Sequence, residues 1–154
     1  RHRASAWNIR PERVGVMGFS AGGHLSARLS THTGAATYPR LDAADDAPLR
    51  PNFAILVYPA YLVSKEEPTK LLPGFEVTAK SPPMCFVHAH DDPWPASGSA
   101  LLYLEYKKLN IPCELHLFTK GGHGFGMRMY LREHFIDPID VTRAGLALYP
   151  YASV

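Results

Sequence analysis

The chain has 154 residues, 46% of them hydrophobic and 19% charged, with 14 prolines and 12 glycines, a composition that fits a globular domain and excludes disordered, collagenous and disulfide-dense chains. Sixteen Lys and Arg against fourteen Asp and Glu leave a net charge of +2, too balanced to point to nucleic acid or an anionic membrane surface. No apolar run approaches the roughly 20 residues of a membrane span, and no signal peptide is visible after the opening Arg1-His2-Arg3.

Val14-Gly15-Val16-Met17-Gly18-Phe19 is a short apolar run ending in a glycine turn and predicts the first strand. Ala21 to His32 predicts a helix, with Leu25 and Leu29 four apart on one face and Thr33-Gly34 as its stop. A polar, proline-containing stretch from Tyr38 to Pro51 leads to Phe53-Ala54-Ile55-Leu56-Val57-Tyr58, apolar on both faces and closed by Pro59, which reads as a strand covered on both sides. Ser64 to Pro83 reads as an excursion over the surface. Met84-Cys85-Phe86-Val87-His88 predicts a third buried strand. Ser97 to Asn110 predicts a helix, with Ser97 or Ser99 as its cap, Leu102, Tyr106 and Leu109 on its inner face, and Lys107 and Lys108 at its negative end. Glu114-Leu115-His116-Leu117-Phe118 predicts a fourth strand, ended by Gly121 and Gly122. The two cysteines, Cys85 and Cys113, open apolar runs and read as buried free thiols, although a single bridge between them is open.

Alternating strands and helices predict an α/β fold, a parallel sheet of about four strands with helices on both faces. In such sheets ligands bind beyond the carboxyl ends of the strands, so those positions carry the functional signal. After the first strand stands Gly18-Phe19-Ser20-Ala21-Gly22, a G-x-S-x-G pattern between strand and helix. A serine there sits on a sharp turn with its hydroxyl projecting from the sheet, and flanking glycines let the backbone pass. The following helix aims free N–H groups and a positive dipole end at developing negative charge. After the third strand come Asp91 and Asp92, and after the fourth comes His123 in a glycine-rich loop. The order Ser, Asp, His is that of a serine hydrolase triad on a doubly wound sheet. Serine needs a base, imidazole can take and return its proton, and a carboxylate fixes the imidazole tautomer. Asp92 is favoured over Asp91 because it precedes the proline turn and adjacent extended residues face opposite sides.

The rival chemistry is metal binding. His88, His90, Asp91, Asp92 and His123 can be written as a zinc set, but that reading leaves Ser20 unexplained, and His88 and His90 also read as strand-end residues packed under the site. His24 reads as a packing residue of the helix, and His116 as facing away from the site. Trp94 and Phe125 flank the acid and base loops and are candidates to line a substrate cleft.

Arg13 to His24, Phe53 to Pro59, Pro82 to Asp92 and Glu114 to Gly126 together resemble α/β-hydrolase-fold esterases, and within them the bacterial acetylxylan-esterase-like group. The resemblance covers about residues 5–128. It implies Ser20 as nucleophile, Asp92 as acid, His123 as base and the N–H of Ala21 as an oxyanion donor. It also implies hydrolysis of small or carbohydrate esters, frequently acetyl groups on plant polysaccharides, without a cofactor. Export is frequent in that group. The family pattern carries a His-Gly-Gly loop and about four strands before the nucleophile strand, whereas about a dozen residues precede it here and the sequence contains no His-Gly-Gly. The expectation is therefore one partial α/β-hydrolase domain over 1–154, with the N-terminal strands missing, 1–128 family-like and 129–154 a divergent tail in which a helix near Met129 to Phe135 is broken by Asp137-Pro138. A serine peptidase of the prolyl-peptidase type shares the residue order, and an inactive C-terminal portion of a hydrolase is the reading without an activity.

Overall fold

The structure, a computed structural model, describes residues 1–34 and 38–126. Four strands, β1 (Val16–Phe19), β2 (Ala54–Val57), β3 (Met84–Ala89) and β4 (Cys113–Phe118), form a parallel sheet in the order β1-β2-β3-β4. The expected crossovers are helices α1 (Ala21–Thr31), between β1 and β2, and α2 (Ser97–Lys108), between β3 and β4. Because all three pairings are parallel, the strand ends that carry Ser20, Asp92 and His123 lie on one edge of the sheet. Short 3-10 turns at Pro11–Arg13 and Ala43–Asp46 escape the sequence reading. The second is closed by a capping box in which Asp42 accepts from Ala44 N–H and Asp45 accepts from Asp42 N–H.

The core lies against one face. Ala54 and Leu56 of β2 align with Met84 and Phe86 of β3, and these four are buried with Ala27 of α1 and Leu102 and Tyr106 of α2. Both described helices therefore pack on the same face. The expectation of helices on both faces is met on one of them among the described residues; the other carries the row Met17, Ile55, Cys85 and Glu114. Cys85 and Cys113 are free and half-buried rather than buried.

The faces of the helices correct two further expectations. Leu25 and Leu29 of α1 are exposed, Leu25 by 69%, and the inward face is Gly23, Ser26, Ala27, Ser30 and Thr31. Hydroxyls can be buried there because each is satisfied within the helix: Ser26 Oγ donates to Gly22 O at 2.8 Å, Ser30 Oγ to Ser26 O at 2.7 Å and Thr31 Oγ1 to Ala27 O at 2.9 Å. A face of small residues lets α1 approach the sheet closely, which a leucine face would prevent. On α2, Leu102 and Tyr106 are fully buried as expected, but Leu109 is exposed. The expected serine caps make other contacts. Ser97 Oγ donates to Pro68 O at 2.5 Å, and Ser99 Oγ bonds His88 Nδ1 at 2.9 Å.

The 64–83 stretch is more than a surface excursion. Leu72 N–H donates to Leu62 O at 2.8 Å, Val63 bridges Leu71, and Leu71, Phe75 and Val77 pack partly against the core. The expected helix after Met129 and the divergent tail lie outside the described residues.

Candidate active site

Ser20 lies between β1 and α1 with φ 53° and ψ −120°. Such a backbone costs a non-glycine residue about 1–3 kcal/mol and persists only where the surroundings hold it. Three backbone bonds hold it here. Ser20 N–H donates to Val57 O, and Ser20 O accepts from His24 N–H and Ala60 N–H, each at 3.1 Å. A Cβ at Gly18 would overlap the Gly22 carbonyl and Ser26 Oγ, so glycine is required before the turn. Gly22 does not play the part expected of it, because a Cβ there meets nothing within 4 Å. The close approach falls to Gly23, whose Cβ would lie 2.9 Å from Pro59 Cα. Gly18→Ala is expected to destabilise the chain by about 3 kcal/mol through overpacking, readable as a fall in the urea midpoint; Gly22→Ala is expected to leave that midpoint nearly unchanged.

His123 Nε2 lies 2.7 Å from Ser20 Oγ, and His123 Nδ1 lies 2.8 Å and 3.0 Å from the two carboxylate oxygens of Asp92. A carboxylate only accepts, so Nδ1 carries the proton and Nε2 is left as the acceptor for the Ser20 hydroxyl. Asp92 is buried, 8% exposed, and its Oδ1 also accepts from Trp94 N–H at 2.8 Å. The neighbouring Asp91 is exposed and faces elsewhere: its Oδ1 accepts from Gly122 N–H at 2.7 Å. Ala21 opens α1, so its N–H is among those at a helix start that have no acceptor within the helix.

Beneath Asp92 lies a second imidazole. His88 is fully buried, with Nδ1 on Ser99 Oγ at 2.9 Å and Nε2 at 3.4 Å from Asp92 Oδ2. Burial pushes its pKa down from 6.5, against the opposing pull of the Asp92 charge, while the His123 ring acts in the same direction as burial. His88 is therefore neutral in the fold. As pH falls below 6.5 the unfolded chain takes up a proton here that the folded chain refuses, so stability is lost through that window. The urea midpoint of the chain is expected to drop between pH 7.5 and 5.5, and to drop less in His88→Asn.

Other expected residues are placed as follows. Phe125 packs edge-on against Tyr58 at 4.9 Å and near Phe118 at 6.2 Å. Trp94 sits between Tyr61, 4.5 Å away, and Lys65 Nζ, 4.3 Å from its ring centre. His24 contacts the Tyr61 and Phe75 rings, and burial, then the Arg28 charge, lowers its pKa. His116 bonds Glu114 at 3.0 Å on the other face of the sheet. The zinc set does not assemble as written: His90 is exposed, Asp92 is hydrogen-bonded to His123, and His88 Nε2 lies 3.4 Å from Asp92 without a hydrogen bond. Among the described residues, the His, Cys and carboxylate trio with mutually close ligating atoms is Cys85, Glu114 and His116, away from Ser20.

Sequence reading missed Tyr58. It is 2% exposed, has φ 37°, and its ring meets the His123 ring edge-on at 4.9 Å. Its position just after β2 and before a proline was the available signal. It also missed the role of Asp91; His88 is packed under the site as expected, whereas His90 is exposed. The spacing of four between His88 and Asp92 was visible, but the chain there is a strand end and turn, so helical spacing rules did not apply.

Residues 1–73 match a family described as the alpha/beta hydrolase fold. The structure superposes on an acetyl ester-xyloside bifunctional hydrolase from Caldicellulosiruptor lactoaceticus with a TM-score of 0.69 at 27% identity, covering 97% of this chain and 60% of that one. It superposes on MGS-M1, an alpha/beta hydrolase from a Medee basin deep-sea metagenome, with a TM-score of 0.65 at 29% identity, covering 95% of this chain and 56% of that one. This chain has an α/β-hydrolase fold. A curated acetylxylan esterase from Xylanibacter ruminicola is 31% identical to this chain over an alignment of 158 positions that covers 87% of this chain and 30% of that protein. This chain thus spans under a third of this curated relative and somewhat over half of the two solved ones.

Proposed function

We propose that this chain is part of a carboxylic ester hydrolase that removes small acyl groups, acetyl above all, from carbohydrate or other small esters. Ser20 is the nucleophile, His123 the general base and acid, and Asp92 the residue that fixes the imidazole. The observation that carries the reading is the 2.7 Å contact of Ser20 Oγ with His123 Nε2, made by a serine held at φ 53°.

The chemistry follows from the tautomer. Ser20 Oγ attacks the ester carbonyl as its proton passes to His123 Nε2, and Asp92 stabilises the imidazolium. The oxyanion is held by the N–H of Ala21 at the start of α1, and a donor of this kind is worth about 10²–10³ in kcat. The alcohol leaves with the proton from Nε2, and water, deprotonated by the same nitrogen, releases the acid. Side chains, backbone and water suffice for both steps. Trp94 and Phe125 are the residues we assign to the walls of the cleft. The carbohydrate preference is supported by the acetylxylan esterase and the acetyl ester-xyloside hydrolase among the relatives.

A fluorophosphonate probe tests the reading directly. The chain is expected to take up one equivalent at Ser20, located by peptide mapping, and Ser20→Ala to take up none. A folded sample that resists the probe would overturn the assignment.

A further inference from the structure

Two adjacent aspartates leave β3, and only one touches the imidazole. Asp91 turns the other way and accepts the N–H of Gly122, the residue immediately before His123, at 2.7 Å. Gly122 has φ 59° and open space around its Cβ position. Nothing packs against Gly122 from that side, so the loop is not wedged in place by side chains there. Its neighbour Gly121 approaches Ala89, whose Cβ would lie 3.1 Å from a Cβ at Gly121. A backbone bond from His90 N–H to Phe118 O at 2.7 Å joins the two strand ends just before the loops diverge. Beyond that bond, the Asp91 carboxylate ties the two loops together without involving the His123 ring. Accepting from Gly122 and, more weakly, from Gly121 holds its pKa below the ordinary carboxylate value.

We propose that Asp91 is a positioning residue that clasps the backbone of the His123 loop to the Asp92 turn and so sets the distance from His123 Nε2 to Ser20 Oγ. The proposal rests on the triad reading above. The two aspartates then divide one task. Asp92 orients the ring, and Asp91 fixes the main chain that carries it. Without the clasp the ring is anchored by its own hydrogen bonds and its edge contact with Tyr58, on a loop of glycines at residues 121, 122, 124 and 126. Small displacements of a reacting group lower the rate steeply. The part Asp91 plays is that of a hydrogen-bond acceptor, so an amide oxygen can replace it.

The test compares Asp91→Asn with Asp91→Ala in the full chain. Asp91→Ala is expected to lower kcat on p-nitrophenyl acetate about tenfold with KM within about twofold, in line with lost orientation. Asp91→Asn is expected to keep at least half of kcat, and the pH at which activity falls on the acid side is expected to be the same in all three proteins. Amide exchange at Gly122 gives a second readout that does not need turnover: protection is expected to be lost in Asp91→Ala and kept in Asp91→Asn. Full kcat together with unchanged Gly122 protection in Asp91→Ala would overturn the proposal. So would an equal loss in both variants, which would assign the effect to charge. Ser20→Ala run alongside separates the two readings. If that variant still hydrolyses ester, the triad fails, while Gly122 exchange still decides whether the clasp exists.

Discussion

Replacing Ser20 by alanine is expected to remove hydrolysis of p-nitrophenyl acetate almost completely, a loss of about 10⁶ in kcat where a serine hydrolase runs at full rate. The hydroxyl is the atom that forms the acyl bond, and among the described residues His123 Nε2 has its hydrogen bond to Ser20 Oγ and to no second hydroxyl. The fold has little reason to change. The three bonds that fix this residue run through its backbone N–H and C=O, and alanine supplies the same groups. Alanine also bears the same strain at φ 53°. Far-ultraviolet circular dichroism and the urea midpoint are therefore expected to match the parent, so that the loss is chemical. Turnover within tenfold of the parent would show that another group is the nucleophile.

How much of this was legible depends on whether the signal was local. The elbow was readable because strand, Gly18, Ser20 and helix sit within a dozen residues, and each leaves a mark in composition. The buried strands were readable because runs such as Ala54 to Val57 are apolar on both faces. The inner face of α1 was not. Leucines predict an inward stripe by hydrophobicity, but Ser26, Ser30 and Thr31 satisfy their hydroxyls on the preceding helical turn. Small buried residues then let the helix approach the strand at Gly18. Close approach is a property of two elements and cannot be read from either one. The same holds for Gly23, whose partner is Pro59, and for Tyr58, which meets His123 65 positions later in the sequence. Asp91 and Asp92 are the sharpest case. Alternation told the two apart in direction, but what Asp91 reaches, Gly122, is fixed only when β3 and β4 lie side by side.

Asp92→Asn is expected to lower kcat about 10⁴-fold with KM little changed, the loss that follows when an imidazole is locked in the wrong tautomer. The direction can be derived from the contacts. Trp94 N–H is 2.8 Å from Asp92 Oδ1 and needs an acceptor, so the amide oxygen of the introduced side chain takes that place. The amide nitrogen then occupies the place of Oδ2, 2.8 Å from His123 Nδ1. The amide oxygen in the place of Oδ1 lies 3.0 Å from Nδ1, but the amide N–H is the closer group and favours Nδ1 as the acceptor, with the ring proton on Nε2, where it faces Ser20. The hydroxyl can then no longer give up its proton. His88 does not resist the change. Its Nε2, 3.4 Å from Oδ2, makes no hydrogen bond to the carboxylate that the change could break, and its Nδ1 keeps Ser99 Oγ, 2.9 Å away. The bonds of Asp92 to Trp94 N–H and to His123 Nδ1 thus have counterparts in the inactive arrangement, so the variant is expected to fold with a urea midpoint near that of the parent. The matching substitution one residue earlier, Asp91→Asn, keeps its acceptor and is expected to keep its rate. A gap of about 10³ or more between the two isosteric variants is what separates an aspartate that sets a tautomer from one that holds a loop. Asp92→Asn within tenfold of the parent would contradict the tautomer argument and, with it, the role given to Asp92.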